Sequence, residues 1–403
     1  MTPRYSGSSI VNSTKTFPAS EPSSGGLAES TILRRRDYVP ELDGVRGIAV
    51  ALVFLYHLQI HGGLGQPRSI YGLFVSLGWS GVDLFFVLSG LLITGILLDT
   101  RSASRYYLNF YARRVLRIFP LYYGVLFAVF ILGQPFLRHW MTAHQFEVSL
   151  RPHYQIFVWT FTANVGFATG QLGTFLVPLW SLAVEEQFYL IWPVTVRSLT
   201  PNRLQKVCIA VVAVSFAARV WLGAEGQWVL GYSLCRMDAL ALGALIALGL
   251  RSPKVALLMR AHAWKVSFIS LIGVAVVAST RGSDFTDPAM VSVGVLLLDL
   301  LYASLLGAIL CAAAKSLVRA PFRLSPLRTL GKYSYAIYIF HQPTILGLHY
   351  AGLSVPGLMS RLHSRILGDL TYLGIVCAIV LGASMASWWL IEKRFLTLKH
   401  RFT

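Results

Sequence analysis

ELDGVRGIAVALVFLYH, residues 41–57, is an apolar run that can open a membrane-spanning helix, and it carries Asp43, Arg46 and His57. Eleven residues of α-helix rise about 16 Å and make close to three turns, so Arg46 and His57 lie on one face. Charged side chains inside a span are costly and usually face the interior of a helix bundle. Two interpretations of the pair stay open: a site for a long ligand with an anionic end, or an interfacial arginine and a packed histidine.

The composition of the whole chain also favours a membrane protein. Of its 403 residues, 55% are hydrophobic and 13% are charged, and the mean hydropathy is +0.61. Soluble domains carry about 25% charged residues, so this composition excludes an ordinary soluble domain. The four cysteines are far apart and form no CxxC motif, so neither a metal site nor a disulfide framework is expected.

Ten segments approach the roughly 20 apolar residues that cross a bilayer. They are residues 42–61, 73–98, 115–133, 181–196, 207–222, 236–250, 264–280, 290–314, 333–351 and 367–391. A shorter apolar piece, 156–167, contains Thr160, Thr162 and Asn164, and we expect it to be re-entrant or to lie in the interface. The predicted fold class is therefore all-α, a polytopic membrane helix bundle of about ten transmembrane helices.

Basic residues near the ends of these segments predict the orientation, because they concentrate on the cytoplasmic side. If 156–167 does not cross, most basic residues fall on the side of the first basic run, 34–36, and both termini are cytoplasmic. The formal net charge of +18 then needs no nucleic-acid partner. The chain is predicted to comprise a disordered cytoplasmic tail (1–37), a transmembrane domain (38–395) and a short basic tail (396–403).

The third segment begins FYARRVLRIFP, residues 110–120, in which Arg114 and Arg117 are three residues apart and share a helix face. Guanidinium groups suit phosphate because each offers a planar fork of donors and keeps its charge. Arginines at a cytoplasmic helix end also anchor many spans without binding a ligand. Both interpretations stay open for this pair.

PLWSLAVEEQFYLIWP, residues 178–193, places Glu185 and Glu186 near the outer end of another span. Two adjacent carboxylates cannot both face lipid cheaply, so at least one is expected to point into the bundle. There they can orient a histidine, accept hydrogen bonds from sugar hydroxyls or pair with an arginine. Arg236 and Asp238 open a further span, and a structural ion pair between these two is favoured.

GKYSYAIYIFHQP, residues 331–343, carries His341 about 14 Å into its span. At that depth an unpaired imidazolium is costly, and the following Pro343 indicates a kink beside a cavity. A neutral histidine hydrogen-bonded between helices is at least as well supported as a catalytic one.

Together these motifs resemble the acyltransferase 3 family of integral-membrane acyltransferases, in its stand-alone class without a fused esterase-like domain. The resemblance covers most of residues 38–395. It rests on LDGVRGIAVALVFLYH with Arg46 and His57, GVDLFFVLSGLLIT at 81–94, the RxxR of Arg114 and Arg117, WSLAVEEQFYLIWP at 180–193, RMDALALG at 236–243 and GKYSYAIYIFHQP at 331–343.

The resemblance implies transfer of an acyl group, usually acetyl, from cytoplasmic acyl-CoA to a hydroxyl beyond the membrane. The acceptor would be a polysaccharide, a lipid-linked sugar or a secreted metabolite, and the location a bacterial inner membrane. By the same resemblance Arg46 and His57 match the family's essential pair, and Arg114 and Arg117 match its pair proposed to contact CoA. We expect Arg46 to bind acyl-CoA together with Arg114 and Arg117, as a co-substrate rather than a tightly bound cofactor. His57, Glu185 and Glu186 are the expected catalytic residues. Acceptor binding or structural support is assigned to Asp43, Arg236, Asp238 and His341.

The mechanistic hypothesis is that neutral His57 acts as general base on the acceptor hydroxyl. Direct transfer and a transient acyl-histidine are both compatible with the sequence. Two other classes compete: a secondary transporter or flippase for a glycan precursor, which would also use intramembrane His, Glu and Arg, and a sensor or scaffold without chemistry. The absence of a convincing internal repeat argues against a transporter built from inverted repeats.

Overall fold

The computed structural model describes residues 38–64, 70–224 and 229–402, and within these ranges the chain is helical with no β-strand. The predicted tail at 1–37 lies outside the described residues. Ten longer helices are labelled α1 (Pro40–His57), α2 (Gly81–Asp99), α3 (Tyr106–Phe127), α4 (Leu179–Ser198), α5 (Pro201–Ala224), α6 (Met237–Gly249), α7 (Pro253–Arg281), α8 (Val295–Cys311), α9 (Ser325–Tyr350) and α10 (Arg365–Ser387).

Shorter helical segments connect or extend these ten. π-Helical turns follow α1, α3 and α10, at Leu58–Gly62, Ala128–Leu132 and Trp388–Glu392, and one at Met290–Gly294 precedes α8. The short α-helices are Ile70–Ser76, Gln134–Trp140, Ala143–Leu150, Ile156–Trp159, Ala163–Ala168, Val355–Leu362 and Lys393–Thr397. Each predicted span therefore coincides with a helix, and the all-α prediction is confirmed.

The described residues contain seven helical stretches that are long and apolar enough to cross a membrane: Pro40–Gly62, Phe74–Asp99, Tyr106–Leu132, Pro201–Ala224, Pro253–Arg281, Met290–Cys311 and Arg365–Arg401. The chain is thus a polytopic integral membrane protein, but the predicted count of ten is not confirmed. The other three predicted spans are α4, α6 and α9. α6 has only 13 residues and is almost wholly buried, whereas α4 and α9 carry charged and polar side chains.

The apolar piece at 156–167 forms two short helices, Ile156–Trp159 and Ala163–Ala168. Neither has the length to cross a bilayer by itself. The chain turns between them at Phe161, whose φ of 53° lies in the left-handed region. The Tyr122 hydroxyl of α3 donates to the Val158 carbonyl at 2.7 Å, which satisfies a backbone acceptor that the short helix leaves open.

Two helix crossings at the centre of the bundle depend on glycine. At the α1–α9 crossing, a Cβ atom on Gly331 would lie 1.8 Å from the Asp43 carbonyl oxygen, and one on Gly47 would lie 2.0 Å from that of Leu327. At the α2–α6 crossing, Gly90 and Gly243 would meet the partner backbone at 1.9 and 2.0 Å. Small residues allow this approach of two backbones, which is how membrane helices gain packing without a hydrophobic drive.

Gly331→Ala should separate α1 from α9, because its methyl group would collide with backbone rather than with a side chain that can move. We expect a loss of about 1–3 kcal/mol, the usual cost of overpacking, read as a lower midpoint of thermal unfolding in detergent. Gly347→Ala on the same helix is the control, since nothing lies within 4 Å of its Cβ position. Equal midpoints for the two variants would contradict the close crossing.

Candidate active site

Two histidines from separate sequence motifs meet where α1 and α9 pack together. His341 Nε2 lies 3.4 Å from His57 Nδ1, and the ring centroids are 4.8 Å apart in an edge-to-face arrangement. His341 is fully buried, while His57 keeps part of its surface accessible. The crossing of α1 and α9 therefore converts two isolated histidines into a pair.

Backbone carbonyls determine how the pair is protonated. His57 Nδ1 lies 2.8 Å from the Val53 carbonyl oxygen, and His341 Nδ1 lies 2.7 Å from that of Tyr338. A carbonyl oxygen only accepts, so each neutral ring carries its proton on Nδ1 and a lone pair on Nε2. The His341 lone pair then faces the Nδ1 proton of His57, and His57 Nε2 is the free basic nitrogen of the pair.

A second pair, which sequence reasoning missed, lies beside the first one and joins the π-helical turn after α1 to α9. His61 stacks on His57 with centroids 6.2 Å apart, and Gln342 Nε2 lies 3.0 Å from His61 Nε2. The Gln342 amide also donates to the Thr174 carbonyl at 3.3 Å, while its buried Oε1 has no partner among the described residues. The helical i, i+4 spacing of His57 and His61 was the available signal.

A cavity of about 210 Å³ lies among α1, α2, α3, α4 and α9. Its polar lining includes Arg46, Arg114, Arg117 and Glu185, and apolar side chains of α2 such as Phe85 form much of its remaining wall. The three arginines that the sequence assigned to one ligand therefore reach one cavity. A mostly apolar pocket with a few convergent charges is the usual form of a small-molecule site.

The arginines of the cavity differ in how they are held. Asp43 Oδ1 binds Arg46 Nη1 at 2.6 Å, and the Tyr38 hydroxyl donates to the other Asp43 oxygen at 2.6 Å. Asp43 thus positions Arg46. The Arg114 guanidinium lies 5.8 Å from the ring centroids of both Phe110 and Tyr189. Within the described ranges, Arg114 and Arg117 make no ion pair within 4 Å, so their donors are open to an anion.

The two glutamates of α4 occupy different positions. Glu185 lines the cavity together with the arginines, and Glu186 is not part of that lining. His57 is not part of the lining either, so Glu185 shares the cavity with the arginines rather than with His57. The expectation that at least one of the two carboxylates points into the bundle is met by Glu185.

Tyr338 separates the cavity from the histidine pair. Its side chain lines the cavity, its ring centroid lies 5.6 Å from that of His341, and its hydroxyl is 2.6 Å from Ser181 Oγ. The ring of Phe54, on α1, also packs against His341, with ring centroids 6.3 Å apart. The Tyr338 side chain therefore contacts both the arginine cavity and His341, and the two lie next to each other.

Arg236 and Asp238 do not pair with each other, contrary to expectation. Arg236 binds Asp83 of α2 at 2.5 Å, and Asp238 binds Arg219 of α5 at 2.5 Å, with all four side chains at most 1% exposed. Asp299 of α8 is also fully buried and interacts electrostatically with both of these ion pairs. These ion pairs join α2 and α5 to α6 and to the turn that precedes it, which fits a structural role. Sequence reasoning missed Asp83 and Arg219, although a lone charge within an apolar run was their signal.

The part of the chain that matches known proteins is the helix bundle. A family model described as an acyltransferase domain, Acyl_transf_3, matches residues 39–390. The peptidoglycan O-acetyltransferase OatA of Listeria monocytogenes is 30% identical over 332 residues, which are 77% of this chain and 50% of that protein. The O-acetyltransferase OatA of Staphylococcus aureus is 27% identical over 322 residues, with 77% and 51% covered.

The chain spans about half the length of the curated relatives it matches. No solved structure matches it significantly. The residues matched by the family model include the histidine pair, the cavity arginines and the buried ion pairs.

Asp83→Ala should destabilise the bundle strongly, because it leaves the buried Arg236 guanidinium without its counter-ion. Breaking a buried pair in this way typically costs about 3–5 kcal/mol. Asp99→Ala is the matched control at the other end of α2, since its pair with Arg251 is partly exposed and such pairs contribute at most about 1 kcal/mol. Thermal unfolding of both variants in detergent measures the difference, and an Asp83 variant as stable as the Asp99 variant would refute the structural role.

Proposed function

Because this chain belongs to the acyltransferase 3 family, we propose that it is an integral-membrane O-acetyltransferase that uses acyl-CoA as donor and a hydroxyl group as acceptor. The observation that carries the proposal is the histidine pair beside a cavity lined by three arginines. The names of the two OatA relatives support acetyl as the group that is moved.

The cavity suits the arm of an acyl-CoA better than its nucleotide. Arg114 and Arg117 offer guanidinium donors to phosphate, and the apolar wall of α2 suits a pantetheine chain. At about 210 Å³ the cavity is smaller than the roughly 300–1,000 Å³ of pockets that enclose a whole ligand. The phosphates would therefore bind at the arginine end, and the thioester would pass Tyr338 toward His57.

His57 Nε2 is the proposed general base. It removes the proton from the acceptor hydroxyl as that oxygen attacks the thioester carbonyl carbon, and the C–S bond breaks as the new C–O bond is completed. The departing CoA thiolate takes the proton back from His57 Nε2, so the histidine is regenerated. His341 acts as a positioning residue, because its Nε2 lone pair faces the Nδ1 proton of His57 and stabilises the imidazolium that forms.

The proposed acceptor is a polysaccharide of the cell envelope. The name of the Listeria relative specifies peptidoglycan, and a transferase embedded in the membrane can deliver acetyl groups to an acceptor on its outer side. The location that fits this reaction is a bacterial inner membrane with both termini cytoplasmic. In that orientation the basic residues that precede α3 lie on the side where acyl-CoA is made.

His57→Ala should remove general-base catalysis and lower acetyl transfer by about 10²- to 10⁴-fold, the usual contribution of a positioned base. Transfer of labelled acetyl from acetyl-CoA to cell-wall glycan in isolated membranes measures it. His262→Ala is the control, because this exposed histidine of α7 lies outside the pair and the cavity. A His57 variant that retains near-normal transfer in correctly folded protein would exclude the proposed base.

Arg114→Ala should weaken donor binding, because a charge-assisted hydrogen bond to phosphate is lost. A loss of about 1.5–3 kcal/mol corresponds to a KM for acetyl-CoA raised about 10- to 100-fold, with the KM for the acceptor unchanged. Arg117→Ala should behave alike. Arg105→Ala is the control, since this exposed arginine precedes α3 and does not line the cavity. If both cavity variants kept the normal KM for acetyl-CoA, the phosphate role would be wrong.

A further inference from the structure

The segment Leu398–Arg401, which the sequence predicts to be part of a basic tail, folds back onto the start of α3. Arg113 Nε donates a hydrogen bond to the Phe402 carbonyl oxygen at 2.6 Å. Lys393–Thr397 leads into this segment from the π-helical end of α10. The carboxyl end of the described chain is therefore attached to the helix that carries Arg114 and Arg117.

This attachment brings Lys399 into a cluster of cations. Its half-buried ammonium group interacts electrostatically with four arginines: Arg46, Arg113, Arg114 and Arg117. No carboxylate of the described chain lies within 4 Å of the Lys399 nitrogen or of the Arg113, Arg114 and Arg117 guanidinium groups. Buried Arg114 Nε also has no hydrogen-bond partner there.

Of the nearby carboxylates that the structure describes, only Asp43 forms an ion pair with the cluster, and it pairs with Arg46. Glu185 and Glu186 interact with Arg114 at longer range and form no ion pair within 4 Å in the described chain. Asp43 is bound to Arg46 and Tyr38. Glu392 accepts a hydrogen bond from the Ser387 hydroxyl at 3.2 Å, and Glu185 lies on the cavity wall. Like charges gathered at short range repel one another, so the arrangement favours an anion with several charges that can contact several of these groups together.

We propose that Lys399 completes a phosphate-binding site with Arg113, Arg114 and Arg117, and that this site holds the phosphate groups of the acyl-CoA nucleotide. The inference rests on the proposed function, and it adds a binding residue that lies beyond the matched residues 39–390. Arg114 and Arg117 line the cavity whereas Lys399 does not, so in this proposal Lys399 contacts the part of the ligand that extends beyond the cavity of about 210 Å³. A lysine serves phosphate as a mobile point charge.

The test uses the full chain in nanodiscs of phosphatidylcholine, with CoA binding measured by calorimetry at low and moderate salt. Lys399→Gln should raise the Kd for CoA about tenfold and reduce its salt dependence, while the thermal midpoint stays that of the unchanged protein. Lys393→Gln, on the helix that leads into this segment, is the control, because the exposed Lys393 ammonium lies over the Trp389 ring and is not among the groups that interact with Lys399. An unchanged Kd in Lys399→Gln overturns the inference.

Two further measurements distinguish the role of Lys399 from the proposed use of acyl-CoA as donor. If Arg114→Ala weakens CoA binding and Lys399→Gln does not, the site lacks Lys399 while the donor proposal stands. If the unchanged protein binds no CoA, both fail. Anionic lipid headgroups offer the same chemistry, so binding is repeated in nanodiscs that contain phosphatidylglycerol. An effect of Lys399→Gln that appears only with the anionic lipid shows that this lysine binds lipid and overturns the inference.

Discussion

The close crossing of α1 and α9 is the constraint on which the candidate site depends. Gly331 lets the Asp43 backbone approach so closely that no side chain fits between the two helices. The same crossing brings His341 to His57 and leaves Gln342 beside His61. A bilayer supplies little hydrophobic drive for helix association, so backbone contact at small residues determines which polar side chains become neighbours. The geometry of the reactive groups thus follows from residues that have no chemistry of their own.

Buried charge divides into two kinds in this bundle. Arg236 and Arg219 each form an ion pair with a buried carboxylate, Asp83 and Asp238, and removing either carboxylate would leave a buried charge uncompensated. Arg114 and Arg117 lack such partners in the described chain and line a cavity instead. The paired charges support the helices, whereas the unpaired ones are available to a ligand.

The sequence predicts the helices well, because an apolar segment in lipid can satisfy its backbone only as a helix. It also brings Arg46, Arg114 and Arg117 together, since orientation rules place them at one side. It does not identify Asp83 as the partner of Arg236, or His341 as the neighbour of His57, because those pairs are 153 and 284 residues apart. Its count of ten spans is not confirmed, because a helix such as α6 that is buried among other helices need not have a length that matches the bilayer.

The central claim is that one donor molecule connects the arginine cavity to His57. The most direct measurement is a cryo-electron microscopy structure of the full chain with an unreactive ketone analogue of acetyl-CoA. The account predicts phosphate density at Arg114 and Arg117, the pantetheine arm along α2, and the ketone carbonyl beside His57 beyond Tyr338. An analogue bound with its phosphates elsewhere, or with its ketone remote from His57, would contradict the account.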